Sequence, residues 1–195
     1  MFKKILLAAF IAATASFAQI NFGVHAGIDM NTQWGDDVKD DAATGIGFNA
    51  GVGMKISLPL LPITVAPEVL IDMRNLDIAK NLTWTEWALD IPVLVRFSLL
   101  PVLYLEAGPE LALNLSVSVE DDDGNEQEYD DDAFNTMEFD VVFGVGTGIV
   151  PFVDIDFRVI LGLTKIYADY EIGNLTVKAL DVSNMQFALG ATYWF

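Results

Sequence analysis

The chain of 195 residues contains no cysteine, which excludes both a disulfide framework and a lipid-modified N-terminal Cys. Positive charge is scarce: 10 Lys and Arg stand against 28 Asp and Glu. That imbalance argues against nucleic acid and anionic lipid headgroups as direct partners. There is a single histidine, His25, which leaves little material for acid–base catalysis. Long apolar runs are missing too. The longest after the N-terminus, residues 56–67, is broken by Pro59 and Pro62, whereas a spanning helix needs about 20 apolar residues. No linker, internal repeat or second domain is visible. Yet 53% of the residues are hydrophobic. An apolar chain without a spanning helix is either a secreted soluble fold or a barrel.

The N-terminus reads as a targeting segment. Lys3 and Lys4 precede a short apolar stretch, residues 5–13, and Ser16-Phe17-Ala18 is a small-x-small cleavage site. Residues 1–18 are therefore expected to be removed after Ala18. The mature domain, residues 19–195, keeps eight bases against the 28 acids, a net charge of −20.

What is present is alternation. In the last twelve residues Met185, Phe187, Leu189, Ala191, Tyr193 and Phe195 form one set. The other is small or polar apart from Trp194. A period of two means a strand with two different faces. It recurs near residues 20–30, 44–56, 63–75, 84–97, 102–116, 137–149, 152–165 and 183–195. The eight apolar faces carry no charge. The opposite faces carry eleven carboxylates (Asp29, Glu68, Asp72, Glu86, Asp90, Glu106, Glu110, Glu138, Asp140, Asp154, Asp156) and four cations (Lys55, Arg74, Arg96, Arg158).

Two eight-stranded closures fit that pattern. A lipocalin-like barrel is apolar inside, and a membrane barrel is the reverse. Glycine discriminates. Twelve of the 15 glycines share the charged face. They are useful there if that face is a crowded bore, which in an eight-stranded barrel is only just wide enough for side chains. On a solvated exterior they would merely weaken strands. The aromatics Phe22, Phe48, Phe97, Phe143, Phe157, Tyr193 and Phe195 all lie on the apolar face, as interfacial girdles require. Connections alternate between short (57–62, 98–101, 150–151) and long (31–43, 76–83, 117–136, 166–182). Short periplasmic turns and long outer loops are expected of an outer-membrane barrel. The last long connection alternates about Gly173-Asn174 and predicts a projecting hairpin. The predicted architecture is an all-β, eight-stranded antiparallel up-and-down transmembrane barrel in a bacterial outer membrane.

Gly190, Tyr193 and Phe195 resemble the C-terminal Gly-x-x-aromatic-x-aromatic signal that barrel assembly machinery reads. Residues 91–97 (I-P-V-L-V-R-F) and 104–109 (Y-L-E-A-G-P), followed by 154–158 (D-I-D-F-R) and 161–164 (L-G-L-T), resemble the PorT/OmpX-type outer membrane protein beta-barrel family. The resemblance covers nearly all the mature chain, in order. It implies the barrel fold and leaves the activity open: one member is linked to type IX secretion and many have no assigned role. The very acidic long loop and the aliphatic first short turn depart from the family.

The charged face predicts a plug: Arg74, Arg96 and Arg158 bridging Glu68, Asp90, Glu106 and Asp156, since buried charges must be paired. A narrow cation-selective path is the alternative. Because carboxylates are in excess, Asp90→Asn is expected to be near neutral or even stabilising. Residues 120–132 hold nine acids and no base, and Asp121, Asp123 and Asn125 alternate as calcium ligands do. Gly124 is misplaced for an EF-hand, and Asp132 stands where a bidentate Glu belongs. A solvated acidic loop fits better. Serines 57, 98, 116, 118 and 183 have no spacing that pairs one with His25, so no triad is expected. Asp29, on the same face, is the expected hydrogen-bond partner of His25. The run Gly144, Gly146, Gly148 lies inside an alternating strand and is no phosphate loop. Neither cofactor nor catalysis is expected. The expected partners are outer-membrane lipid, the assembly machinery, and divalent cations or lipopolysaccharide at the acidic loops, around a monomer. The expected role is structural or surface interaction; the alternative is transport, as a small pore or an accessory barrel of a secretion system.

Overall fold

The computed structural model describes residues 19–35, 44–58, 61–79, 82–121, 126–128, 136–164, 170–172, 175–177 and 182–195. Eight long strands follow one another: β1 (Gln19–Trp34), β2 (Thr44–Ser57), β3 (Ile63–Ala79), β4 (Leu82–Leu100), β5 (Leu103–Asp121), β7 (Met137–Val150), β8 (Val153–Gly162) and β11 (Ser183–Trp194). Three short ones, β6 (Glu126–Glu128), β9 (Tyr170–Ile172) and β10 (Leu175–Val177), belong to the connections. Every neighbour pair is antiparallel. The order β4-β3-β2-β1-β11-β8-β7-β5 is closed by β4 against β5. Closure leaves no open edge among the eight, the condition for spanning lipid.

Alternation produces this arrangement directly. From Trp84 to Leu94 in β4 the even-numbered residues are buried and the odd-numbered ones face outward. The outward set is apolar: Phe22, Phe48, Phe97, Phe143 and Phe157 are all 44–57% exposed. The inward set holds the charges. An apolar cluster of Ala66, Leu94, Val142, Ile160 and Ala188 lies among them. The barrel is thus an inverted globule, with lipid solvating its apolar side chains.

The three short turns, Gln19 and Phe195 share one rim. Gln19 pairs with Ser57, the Trp194 amide donates to Phe152 O (2.7 Å), and the Phe195 amide donates to Phe22 O (2.9 Å). The long connections leave from the other rim.

Two expectations are corrected there. Residues 76–83 are not a long loop: β3 continues to Ala79 and β4 begins at Leu82. The extension has a reason to form, because inward-facing Leu76 and Trp84 pack with Val117 as a second apolar cluster. Strand β5 also runs past residue 116, with a bulge. Trp87 pairs with Ser116 and Ala88 with Asn114, so Leu115 is the extra residue. A bulge reverses the inside–outside parity beyond it. Ser116 therefore faces out and Val117 faces in. At the other strands β1 extends to Trp34 and β8 ends early, at Gly162. In the last long connection β9 and β10 pair antiparallel, Leu175 with Ile172 and Val177 with Tyr170; the predicted turn at Gly173-Asn174 lies outside the described residues.

Candidate functional site

The inward side chains form two charge clusters at different heights. Near the short-turn rim, Arg96 donates from Nε to Glu106 Oε2 (2.8 Å), from Nη2 to Glu68 Oε1 (3.2 Å) and from Nη1 to Asp154 Oδ2 (3.1 Å). Arg158, carried in on β8, takes the other side of the same two glutamates. Its Nε donates to Glu106 Oε1 (2.8 Å), and Nη1 and Nη2 to Glu68 Oε2 and Oε1 (2.7 and 2.9 Å). Two guanidinium forks thereby share two carboxylates, geometry that only Arg supplies. Asp156 Oδ1 is also 2.8 Å from Arg158 Nε. That N–H, however, is directed at Glu106, and neither Asp156 oxygen accepts a hydrogen bond. Trp194 and Lys55 complete the cluster. The indole Nε1 donates to Asp154 Oδ2 (2.7 Å), and Lys55 Nζ sits 4.5 Å above the ring.

Nearer the long-loop rim a single cation, Arg74, serves many acids. It donates from Nε to Asp72 (2.9 Å), from Nη1 to Glu86 (3.0 Å) and from Nη2 to both oxygens of Asp90 (2.9 and 3.0 Å). Glu138 lies 3.7 Å away. Amides do the remaining work. Asn114 and Asn184 donate to the two oxygens of Glu138 (2.9 and 3.0 Å), Gln186 to Asp72 (2.9 Å), and Asn31 and Asn49 to Asp29 (2.9 and 3.0 Å).

All seven predicted network residues (Glu68, Arg74, Asp90, Arg96, Glu106, Asp156, Arg158) line the bore and are 1–4% exposed. They fall into two groups, with Arg74 and Asp90 apart from the other five. One consequence corrects the sequence reading. Asp90 is the bidentate partner of Arg74, so it is not the dispensable carboxylate. Glu110, whose Oε1 has no hydrogen-bond partner, is the better candidate.

The partner of His25 is also corrected. Its Nδ1 lies 2.8 Å from Thr192 Oγ1, whereas Asp29 is engaged by Asn31 and Asn49. Residues four apart on one strand stand about 13 Å apart, but Thr192 is directly opposite His25 in the β1–β11 register. Of the three residues expected to form the assembly signal, Tyr193 (50% exposed) and Phe195 (68%) point outward. Gly190 points inward, where an added Cβ would come within 2.5 Å of the His25 ring. Gly146 likewise makes room for the Tyr104 ring. Asp123, Asn125, the side chain of Asp121, and Ala18 lie outside the described residues.

Two features were not read from sequence. Trp194 is 3% exposed and joins the charge cluster at the short-turn rim; its trace in the sequence was a large ring on an otherwise small or polar face. Tyr104, 8% exposed, lies beneath Arg96, with the guanidinium carbon 4.8 Å from its ring centre. Between these and the short turns opens a cleft of ≈ 130 Å³, measured for a water-sized sphere, lined by Lys55, Ser57, Thr64, Arg96, Tyr104 and Asp154 among others.

Residues 17–168 match the family model described as "Outer membrane protein beta-barrel domain". Among curated proteins none matches. The fold matches Neisserial surface protein A at a TM-score of 0.58 with 15% identity, covering 89% of this chain and 97% of that one. It also matches Ail, the attachment invasion locus protein of Yersinia pestis, at 0.49 with 13% identity, covering 90% and 98%. The chain belongs to the outer membrane protein beta-barrel domain family, and it is a protein of the bacterial outer membrane.

Proposed function

We propose that this member of the outer-membrane barrel family is a sealed surface barrel that does not conduct, with a structural or surface-interaction role carried by its acidic long loops. The observation that carries the reading is the filled bore. Three arginines form ion pairs with eight carboxylates between them, and Leu76, Trp84 and Val117 pack together toward the long-loop rim. A continuous water path needs a wider barrel. The acidic segment 120–132 then meets the outside and attracts divalent cations, through which it engages lipopolysaccharide. The refolded protein in planar bilayers should give no unitary conductance steps in 1 M KCl. Regular steps that vanish on deletion of the protein from the preparation would overturn the sealed reading.

Export with removal of residues 1–18 and recognition of Gly190, Tyr193 and Phe195 by the assembly machinery belong to the same proposal. Envelope protein whose N-terminus is Gln19 is the expected mass-spectrometric result. Catalysis is no part of it, because the one histidine is engaged by a threonine in the barrel wall. A second reading, an accessory barrel of a secretion system, is favoured by the cleft at the short-turn rim. It predicts that a stable complex with periplasmic or envelope partners co-purifies with the barrel and is lost on filling that cleft with Ser57→Trp.

A further inference from the structure

The short turns are built from residues that water does not favour. Residues 57–63 (S-L-P-L-L-P-I), 97–103 (F-S-L-L-P-V-L) and 147–153 (T-G-I-V-P-F-V) contain no charged side chain, in a chain with 28 acids. At the opposite rim the strand ends carry Asp77 and Glu120, both exposed. The apolar side chains of the short turns are open as well: Leu61, Leu99, Leu100, Ile149, Val150 and Phe152 are 41–70% exposed. An apolar patch of this kind marks an interaction surface. Two further observations concern the backbone. Pro62, Pro101 and Pro151 have no N–H to satisfy. The amides of Leu58, Leu61, Ser98 and Gly148 donate to Ile63 O, Leu58 O, Pro62 O and Val102 O (2.9–3.1 Å), and the Thr147 hydroxyl donates to Val102 O (2.8 Å). Internal bonding of that kind matters little in water and much at the edge of hydrocarbon. Phe152 has a φ of 65°, in the left-handed region where Gly or Asn is ordinary and a bulky side chain is strained. The ring held there is 70% exposed. A strained backbone that displays a ring assigns the ring a role.

What covers this surface follows from its continuity with the lipid-facing belt. From Trp87 to Leu99 on β4 every outward side chain is apolar, and the run passes into the turn without a polar collar. That stretch covers about 40 Å along the strand, or about 30 Å along the membrane normal at the usual barrel tilt. The hydrocarbon core is itself about 30 Å thick, so the belt alone fills it and the turns lie in the layer beyond. We propose that the short-turn rim is a membrane-anchoring surface: its three turns are sunk in the glycerol and headgroup layer of the adjoining leaflet, with Ile149 and Phe152 as inserted side chains, and phospholipid covers them. An uncharged rim suits zwitterionic headgroups, and rings at that depth are favoured. The inference rests on the barrel's place in the membrane and on neither functional reading, so conductance and co-purification leave it untouched.

The test uses the complete mature barrel refolded into phosphatidylcholine vesicles, with heat-modifiable migration on gels as the check of folding. The chain has no cysteine, so a nitroxide on Leu99→Cys, Ile149→Cys or Phe152→Cys reports one position each. Accessibility to oxygen and to a water-soluble nickel chelate, equilibrated on both sides of the membrane, is read by electron paramagnetic resonance. The three turn sites should be open to oxygen and shielded from nickel, as the lipid-facing control Phe143→Cys is, whereas Asp77→Cys at the opposite rim should be open to nickel. If Phe152→Cys does not fold, the other two turn sites decide. Phe152→Ala keeps the strained backbone and removes only the ring, so in a vesicle denaturant titration its folded-to-unfolded ratio should fall about tenfold. Nickel accessibility at the turn sites equal to that at Asp77→Cys would overturn the proposal, as would a Phe152→Ala ratio unchanged from the parent. Turn sites shielded in native outer membranes but open to nickel in protein-free vesicles would make the cover a protein and overturn it equally.

Discussion

The two charge clusters in the bore solve the same problem with different means. At the short-turn end four carboxylates (Glu68, Glu106, Asp154, Asp156) meet three cations (Lys55, Arg96, Arg158), and the guanidinium groups interlock through shared glutamates. At the long-loop end Arg74 stands against Asp29, Asp72, Glu86, Asp90, Glu110, Glu138 and Asp140, and five Asn and Gln amides supply the missing donors. The difference teaches where redundancy lies. Lose one guanidinium from the lower cluster and the other still holds Glu68 and Glu106. Lose Arg74 and no cation remains for its acids, since amides donate hydrogen bonds but no charge. Leu94 on β4 and Ile160 on β8, both in the apolar cluster, sit along the strands between the two levels, so neither cluster stands in for the other.

The sharpest break in the comparison is the removal of each arginine. Arg74→Met should lower stability in lipid vesicles by about 3–5 kcal/mol, the cost of orphaning buried charges, or prevent folding altogether. Arg158→Met should cost clearly less, because Arg96 remains. Denaturant titration of both variants decides it, and the reverse ranking would refute the redundancy argument.

The lipid face supplies an external scale for those losses. Val93→Arg and Leu189→Arg, at positions 40% and 52% exposed to lipid, should each cost about 2–4 kcal/mol in vesicles, with the larger loss at the deeper site. An unchanged titration midpoint would mean that these residues do not face hydrocarbon.

A finer contrast separates a shared carboxylate from an unshared one. Glu106 accepts from both Arg96 and Arg158, so Glu106→Gln should cost about 1.5–3 kcal/mol. Glu110→Gln should be near neutral or stabilising, because it removes charge from the acid-rich level and its Oε1 has no hydrogen-bond partner. Asp90→Asn should resemble Glu106→Gln rather than Glu110→Gln. Equal losses at all three positions would erase the distinction between the clusters.

The smallest expected effect is at the rim. Trp194→Phe keeps the ring near Lys55 and removes only the indole donor to Asp154. A loss of about 1 kcal/mol is expected in the same titration. A loss as large as that of Arg158→Met would place Trp194 at the centre of the lower cluster rather than at its edge.

Much of this was legible beforehand, and for a physical reason. A strand has a period of two, so which residues face lipid and which face the bore follows from parity alone. Glu68, Arg74, Arg96, Glu106 and Arg158 could be assigned to the interior from the chain as written, and the crowding of twelve glycines beside them told inside from outside. Parity is local and survives only until a bulge resets it. Leu115 does so, and the inward turn of Val117 was invisible for that reason. The length of β3 and β4 was missed similarly, because Leu76 and Trp84 gain their burial from Val117, on a strand some 30 to 40 residues away along the chain.

Partnership within the bore depends on register and closure. Sequence determined that His25, Asp29, Asp90 and Thr192 share one interior. Only the tertiary structure decided that His25 meets Thr192 across the β1–β11 seam, that Asp90 belongs to Arg74, and that Arg158 joins Arg96 over two common glutamates. Alternation fixes the direction of a side chain, but a distance across the bore exists only once the eighth strand has closed on the first.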